Sequence, residues 1–507
     1  MDAMNKHVIR FREFIVMLLL LSTIVACSGN SSDNPVSPAV GNFVFANTAE
    51  ITPGNIDQIS TINFIVHTKP GNMSKDINVT YSLDYLKREG YVHADTGTID
   101  VPVFGLYPGY LNSVDLTVSR IDNTSETTPL TIQTDDFVSD YKMTGIVINK
   151  QYVSPEVSYL LIDSTPTAPI IVDIDGEVRW QSTIAGESVR PVYFDGSGFL
   201  EGELDGSKVF KINFSGQIIQ SNFLADSRYS SFHHDIELGK QGLLATVGFL
   251  DSSVPMNVIN EPESVLIELT PQGGIINSWD FDEIVGEEIT SKGENPSTFV
   301  QNNVDWFHMN SAIYSPQDDS LTVSSRENFV LKVDYSTKKI KWIMGNTEKQ
   351  WYQNYPQSLR PLALGITGKA PIGQHALSII GDPDHLLLFN NGFGNNALPY
   401  VGDSRTYSAV SLYEIDESQM TANEIWTFDD NQELYSPICG SAFKTSSGLY
   451  LVDFATTDSM TAARIMVVDD SKNIYFDMRI PKRSIDLNSC DTAYRAREIN
   501  LDSLMIQ

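Results

Sequence analysis

The chain has 507 residues, 41% of them apolar and including 24 Phe and 21 Tyr, ample for a packed core. At about 100–200 residues per domain, this length implies two to four domains, or one large body and a small one. The formal net charge of −30 argues against nucleic acid or an anionic membrane surface as partner. It also makes any anion site conspicuous, because positive charge must be supplied there against the global field.

At the N-terminus, Lys6, Arg10 and Arg12 precede an apolar run over 14–25 that ends in Ile24-Val25-Ala26-Cys27. Small residues before a cysteine predict a lipoprotein signal peptide over 1–26, with Cys27 lipidated after cleavage and 27–39 as a polar tether. The plainer alternative is an ordinary signal peptide with an incidental cysteine. Either form implies export, and the lipidated form a protein anchored in the periplasm or on the outer membrane. No later run is long and apolar enough to cross a bilayer. Cys439 and Cys490 are the other cysteines, and they can pair in an exported protein, although the sequence does not set their distance.

Residues 40–135 carry short alternating runs (63–67, 78–82, 113–119, 128–133) between Pro, Gly and Asn turns, which predicts a small β-sandwich. From about 140 to 507 the chain repeats itself. One unit is strand, turn, strand, often closed by Trp: PIIVDIDGEVRW (169–180), VFKINFSGQII (209–219), VLIELTPQGGIINSW (265–279), VLKVDYSTKKIKW (330–342), VSLYEIDESQMTANEIW (410–426) and IMVVDDSKNIYF (465–476). A second apolar strand precedes each copy, at 159–163, 198–204, 242–249, 320–326, 385–391 and 448–454. The fold class expected is therefore all-β, a six-bladed β-propeller behind an N-terminal sandwich. Trp180, Trp279, Trp342 and Trp426 close these units, as rings packed between blades would.

Within the fourth repeat, 305–345 reads as consecutive antiparallel strands at 307–314, 321–327, 329–334 and 339–344. A two-residue period puts His308 and Asn310 on one face, with Arg326 opposite His308 on the return strand. In a propeller the first strand of each blade lines the central channel. Reading back from each repeat gives 231–236, 307–311, 373–377 and 436–441, and His233, His234, His308 and His375, four of the eight histidines, fall on them. Three histidines with Asp235 would suit a transition metal. Against that, Arg326 would repel a cation, and adjacent His233 and His234 would point to opposite faces of a strand. Arg and Asn suit the oxygens of a sulfuryl or phosphoryl group, and histidine can serve as nucleophile or acid–base partner. No glycine-rich phosphate loop and no GxSxG occur.

The block DWFHMNSAIYSPQDDSLTVSSRENFVLKVDYSTKKIKWIMG resembles the bacterial arylsulfate sulfotransferases, which do not use the nucleotide sulfate donor. So do FHHD (232–235), the GQHA…LLLFNNG segment (373–392), TYSAVSLYEID (406–416) and VPVFGLYPGYLN (101–112). The resemblance runs from about 40 to 500. It implies a six-bladed propeller with a channel site and a ping-pong transfer in which His375 is transiently sulfated. It places His308, Asn310 and Arg326, and one of His233 and His234, around the sulfuryl group. An aryl sulfate donor and a phenolic acceptor follow, with no cofactor required and a homodimer as the implied assembly. Two departures stand out: Cys439-Gly440-Ser441 where the family often has a channel threonine or serine, and Ala376 where an acidic residue often follows the catalytic histidine. Ser441 or Cys439 is expected to fill the first position. A non-catalytic ligand-binding propeller and a metal-dependent hydrolase or lyase are the rival readings.

Overall fold

The computed structural model describes residues 43–139, 143–152, 156–164, 169–183, 189–203, 206–249, 262–301, 304–381, 384–394, 402–482, 490 and 492–507. The signal peptide, Cys27 and the tether lie outside the described residues.

The first sheets belong to the N-terminal section. Strands Ile59–Val66, Ile77–Ser82, Leu111–Arg120 and Ser125–Gln133 form one antiparallel sheet, and Ala46–Ile51, Thr98–Phe104 and Val92–His93 form a second. Their inward residues, among them Ile62, Phe64, Val79, Val101, Val103 and Val114, are buried. Alternation of apolar and polar residues in Ile59–Val66 and Ile77–Ser82 produces this one-sided burial. The run 101–112 joins Thr98–Phe104 to Leu111–Arg120 within this section and touches the larger one. After Gly105 (φ 76°) the carbonyl of that glycine accepts from Nε and Nη2 of the buried Arg179, whose guanidinium also stacks 3.6 Å from the Tyr107 ring centre.

Among the described residues, six further sheets follow, each with a core of four antiparallel strands. Five run in sequence order, beginning with Val189–Phe194, Tyr229–Leu238, Met309–Ser315, His375–Ile379 and Ser441–Lys444. The remaining sheet joins Tyr159–Asp163, Ile170–Asp173 and Val178–Gln181 to Arg495–Glu498, a strand more than 300 positions further along. Successive first strands stand against one another, and Ser441–Lys444 meets Arg495–Glu498. This is an all-β propeller architecture, as the repeats predict.

The repeat works through its outer turn. In each of the six sheets a polar side chain at the end of the third strand caps the turn to the fourth. Asp173 accepts from the Glu177 amide, Asn213 from Gln217, Thr270 from Gly274, Asp334 from Thr337, Asp416 from Gln419 and Asp469 from Asn473. The register shifts between the third and fourth strands in every one of them. The tryptophans then join neighbours. Nε1 of Trp180, Trp279, Trp342 and Trp426 donates to Phe214 O, Tyr335 O, Glu417 Oε1 and Asp470 O, each at the outer turn of the next sheet. Trp180 and Trp279 are fully buried, and truncation of such a ring costs about 3–5 kcal/mol.

Candidate functional site

The channel histidines owe their positions to broken strand geometry. Regular strands would alternate His233 and His234 between faces. Instead the register slips between Phe232 and Ile236, and the successive amides of His234 and Asp235 both donate to Thr246 Oγ1 (3.1 and 2.9 Å). That bulge brings His233 and His234 to the same side of Glu263, whose carboxylate lies 3.2 Å from His234 Nε2. His308 does not lie on the strand predicted over 307–314. The strand is Met309–Ser315, and His308 precedes it with φ 47°. Likewise the return strand ends at Ser325, because Asn328 N closes a turn on Ser325 O. The neighbours of His308 are as expected all the same: Arg326 N donates to His308 O at 3.1 Å. Ala376 (φ 49°) and Cys439 (φ 60°) repeat this left-handed step at the start of the next two sheets. Such residues cost of order 1–3 kcal/mol each and persist only where packing fixes them.

His375 is 2% exposed. Its Nδ1 lies 3.0 Å from Gly373 O and 2.8 Å from Asn391 Oδ1. The amide orientation of Asn391 is set by its Nδ2, which donates to Ser436 O and Cys439 O (2.8 and 2.7 Å). Both neighbours of Nδ1 are therefore acceptors, so Nδ1 carries the hydrogen and Nε2 presents its lone pair. Burial, followed by the Arg326 and His308 charges, outweighs the Asn391 contact and presses this imidazole down to about 3, so it is neutral at physiological pH.

His308 is the opposite case. Its Nδ1 lies 2.8 Å from Glu263 Oε2 and is also bonded to Asp305 Oδ2, while its Nε2 is 3.1 Å from His234 Nε2. Burial and Arg326 push its pKa down, yet the Glu263 and Asp305 carboxylates together prevail and raise it from 6.5 to about 9. His233 and His234 are both held neutral, chiefly by burial. The Tyr494 ring closes the group, stacked 5.6 Å from His234 and edge-on 6.3 Å from His375.

Arg326 directs Nε and Nη2 at Glu327 Oε1 and retains 31% side-chain exposure. Asn310 is fully buried and spends its amide on Gln374 O (2.7 Å), the carbonyl before His375. That bond supports the His375 backbone. Ser441 Oγ accepts from Ala496 N (3.0 Å), which ties Ser441–Lys444 to Arg495–Glu498. Cys439 is disulfide-bonded to Cys490, Cα–Cα 6.3 Å, so it offers no thiol to a substrate. Asp235, the carboxylate considered for a metal, is instead paired with Arg495 and accepts from Ser311 Oγ at 3.0 Å. Glu263 with His233 and His234, or with Asp305 and His308, brings three possible donor atoms within 4.8 Å of one another. In the second set those atoms already share protons, and we read it as a hydrogen-bonded network.

Glu263, Asp305, Asn391 and Tyr494 were not singled out by the sequence reading. Asp305 carried a signal, three residues before His308. Asn391 lay inside a quoted motif. Glu263 and Tyr494 come from distant segments and carried none.

A family model described as Arylsulfotransferase (ASST) matches residues 140–495, and one described as Arylsulfotransferase Ig-like domain matches 46–135. Two curated relatives named arylsulfate sulfotransferase AssT are 23% identical. The one from Escherichia coli O6:H1 is matched over 56% of this chain and 56% of its own length, and the one from Lelliottia amnigena over 75% and 78%. The chain thus spans about half the length of the former. Among solved structures, the β-propeller domain of Cps50 (Swd1) from Myceliophteria thermophila has a TM-score of 0.36 at 9% identity, covering 67% of this chain and 90% of its own. BamB from Moraxella catarrhalis has 0.32 at 13%, covering 68% and 92%.

Proposed function

The chain belongs to the arylsulfotransferase family, and on that premise we propose that it moves a sulfuryl group from an aryl sulfate ester to a phenolic acceptor through a covalent intermediate on His375. The observation that carries the reading is the state of His375: neutral, with Nδ1–H held by Gly373 O and Asn391 Oδ1 and with Nε2 left to attack. In the first half-reaction Nε2 bonds to sulfur as the S–O(aryl) bond breaks and phenol leaves. In the second, an acceptor phenol attacks the same sulfur and the S–N bond breaks. A covalent intermediate splits one hard transfer into two easier ones, and exchange between phenols is nearly thermoneutral, so no cofactor is needed. Arg326 stabilises charge on the sulfuryl oxygens, worth about 3–4 kcal/mol for one well-placed donor.

The test is acceptor-dependent release of 4-nitrophenol from 4-nitrophenyl sulfate, with and without chelator. Turnover that survives chelator is expected and His375→Ala should abolish it; wild-type activity in that variant would sink the mechanism. Binding of the ester without turnover would instead point to a ligand-binding propeller, and loss with chelator to a metal enzyme. The proposal extends to the setting of the protein: export under a signal peptide over 1–26, a lipid on Cys27 that holds it in the periplasm or on the outer membrane, and association as a homodimer. Palmitate labelling should then disappear in Cys27→Ser, and light scattering should give twice the chain mass.

A further inference from the structure

Glu263 and Asp305 have no role in the reaction as described so far, yet they enclose one side of His308. Glu263 reaches it through the backbone: Met309 N donates to Glu263 O at 2.7 Å, which lays the segment before Val265–Leu269 against the residue following His308. Asp305 approaches from the same loop, three residues earlier. Both side chains are about three-quarters buried, at 24% and 23% exposure, and both direct a carboxylate oxygen at His308 Nδ1.

Resting on the transferase reading above, we propose that Glu263 and Asp305 are positioning residues that hold His308 as the acid for the departing phenolate and the base for the incoming phenol. Two carboxylates on Nδ1 fix its hydrogen there, so the proton available for transfer is the one on Nε2. That atom points away from the carboxylates and toward His234 Nε2, the side on which Tyr494 packs between His234 and His375. The charged groups facing His308 are Glu263, Asp305 and Arg326, with His233, His234 and His375 as further titratable neighbours. Arg326, although paired with Glu327, is the strongest single charge on the ring and opposes its protonation; the two carboxylates together outweigh it. His234 Nε2 lies 3.1 Å from His308 Nε2 and 3.2 Å from Glu263 Oε2, so this buried imidazole stands between the acid and one of the carboxylates that position it.

The proton balance closes over one cycle. His375 Nε2 forms the N–S bond, the S–O(aryl) bond breaks, and the phenolate oxygen takes the Nε2 proton of His308. Phenol leaves, with His375 sulfated and His308 neutral. The acceptor O–H then passes its proton to His308 Nε2 as its oxygen bonds to sulfur and the S–N bond breaks. This restores neutral His375 and charged His308.

The test uses Glu263→Gln and Asp305→Asn, near-isosteric changes, with a series of aryl sulfates of graded leaving-group acidity. General acid catalysis supplies about 10²–10⁴-fold, and a good leaving group needs little of it. Phenyl sulfate should therefore lose about 100-fold in kcat/KM, 4-nitrophenyl sulfate less than about 10-fold, and the alkaline limb should move down by at least about one pH unit. A uniform loss across the series with an unmoved limb would reduce both carboxylates to structural supports and overturn the proposal. ¹⁵N spectra of histidine-labelled wild-type protein, with His308 assigned through His308→Gln, give a second readout if the variants fold poorly. An imidazolium signal at pH 7.5 is expected, and a neutral one would overturn the proposal. That spectrum does not depend on turnover. A wild type that transfers no sulfuryl group would therefore remove the functional reading while leaving the charge of His308 separately decided.

Discussion

Replacing Asn391 by alanine should slow the enzyme without silencing it, and the structure says by how much. The side chain makes three hydrogen bonds, from His375 Nδ1 and to Ser436 O and Cys439 O. Two of the three partners have a second bond in reserve. His375 Nδ1 keeps Gly373 O at 3.0 Å, and Ser436 O keeps the Ser408 hydroxyl at 3.0 Å. Among the described residues Cys439 O alone is then left without a donor, and one unsatisfied buried polar group costs about 1–3 kcal/mol. Because Gly373 still holds the hydrogen on Nδ1, the reactive tautomer survives and only the aim of the ring loosens. A displacement of about 1 Å costs on the order of 10²-fold, so kcat should fall by about 10- to 100-fold. Turnover of 4-nitrophenyl sulfate with a phenol acceptor gives the rate, and thermal melting gives the stability. Asn391→Asp is the complementary variant: its carboxylate should raise the His375 pKa from about 3 and bring an acid limb into the pH profile. If folded Asn391→Ala proves as inactive as His375→Ala, Gly373 does not suffice to hold the tautomer and the reasoning fails.

The pH dependence of kcat/KM should be flat between about pH 4 and 8, with no inflection near 6.5, because His375 titrates at about 3 and His308 at about 9. A midpoint near 6.5 in the rate profile would refute both assignments. The raised pKa of His308 also contributes stability, present in full below about 6.5 and lost as pH rises through about 9, which melting curves across that window would register. Arg326→Gln should cost about 10²–10³-fold in kcat and lower stability as well, since it leaves the Glu327 carboxylate (2% exposed) without its cation. Arg326→Lys should recover part of each, and an unchanged rate in either variant would remove Arg326 from the sulfuryl site. Reduction of Cys439–Cys490, which are 51 positions apart, should lower stability by up to about 4 kcal/mol and slow turnover, as Cys439 O anchors Asn391. Melting curves with and without reductant would decide this.

The repeats were readable because each sheet buries both faces and spends a polar residue at its outer turn, so apolar runs and Asp or Asn punctuation recur together. Four tryptophans marked the joints for the same reason. The site was harder, because channel residues here depart from regular strands. The two-residue period assigned His233 and His234 to opposite faces, and the bulge at Thr246 brings them to one side. It also put His308 on a strand, and the left-handed step places it before one. Asn310 and Ser441 lie on inner strands, as expected, whereas Cys439 precedes its strand, and each of the three side chains makes a bond that ties the backbone together. Only the register of neighbouring strands distinguishes that use from binding. Glu263 is legible only once its backbone is paired with Met309, which no local pattern announces.

The strand Arg495–Glu498 completes the sheet begun by Tyr159–Asp163, and Leu504–Ile506 adds in parallel to Ile77–Ser82 of the N-terminal section. Tyr494, packed against His234 and His375, belongs to the same late stretch, as does Cys490. During synthesis, then, every histidine of the channel is made well before the segment that shuts the ring around it. A chain interrupted between residues 376 and 489 has His375 but neither the closing strand nor the tyrosine wall. On the proposed function, activity should appear abruptly as the last residues dock, which would make sulfuryl transfer a reporter of a finished molecule.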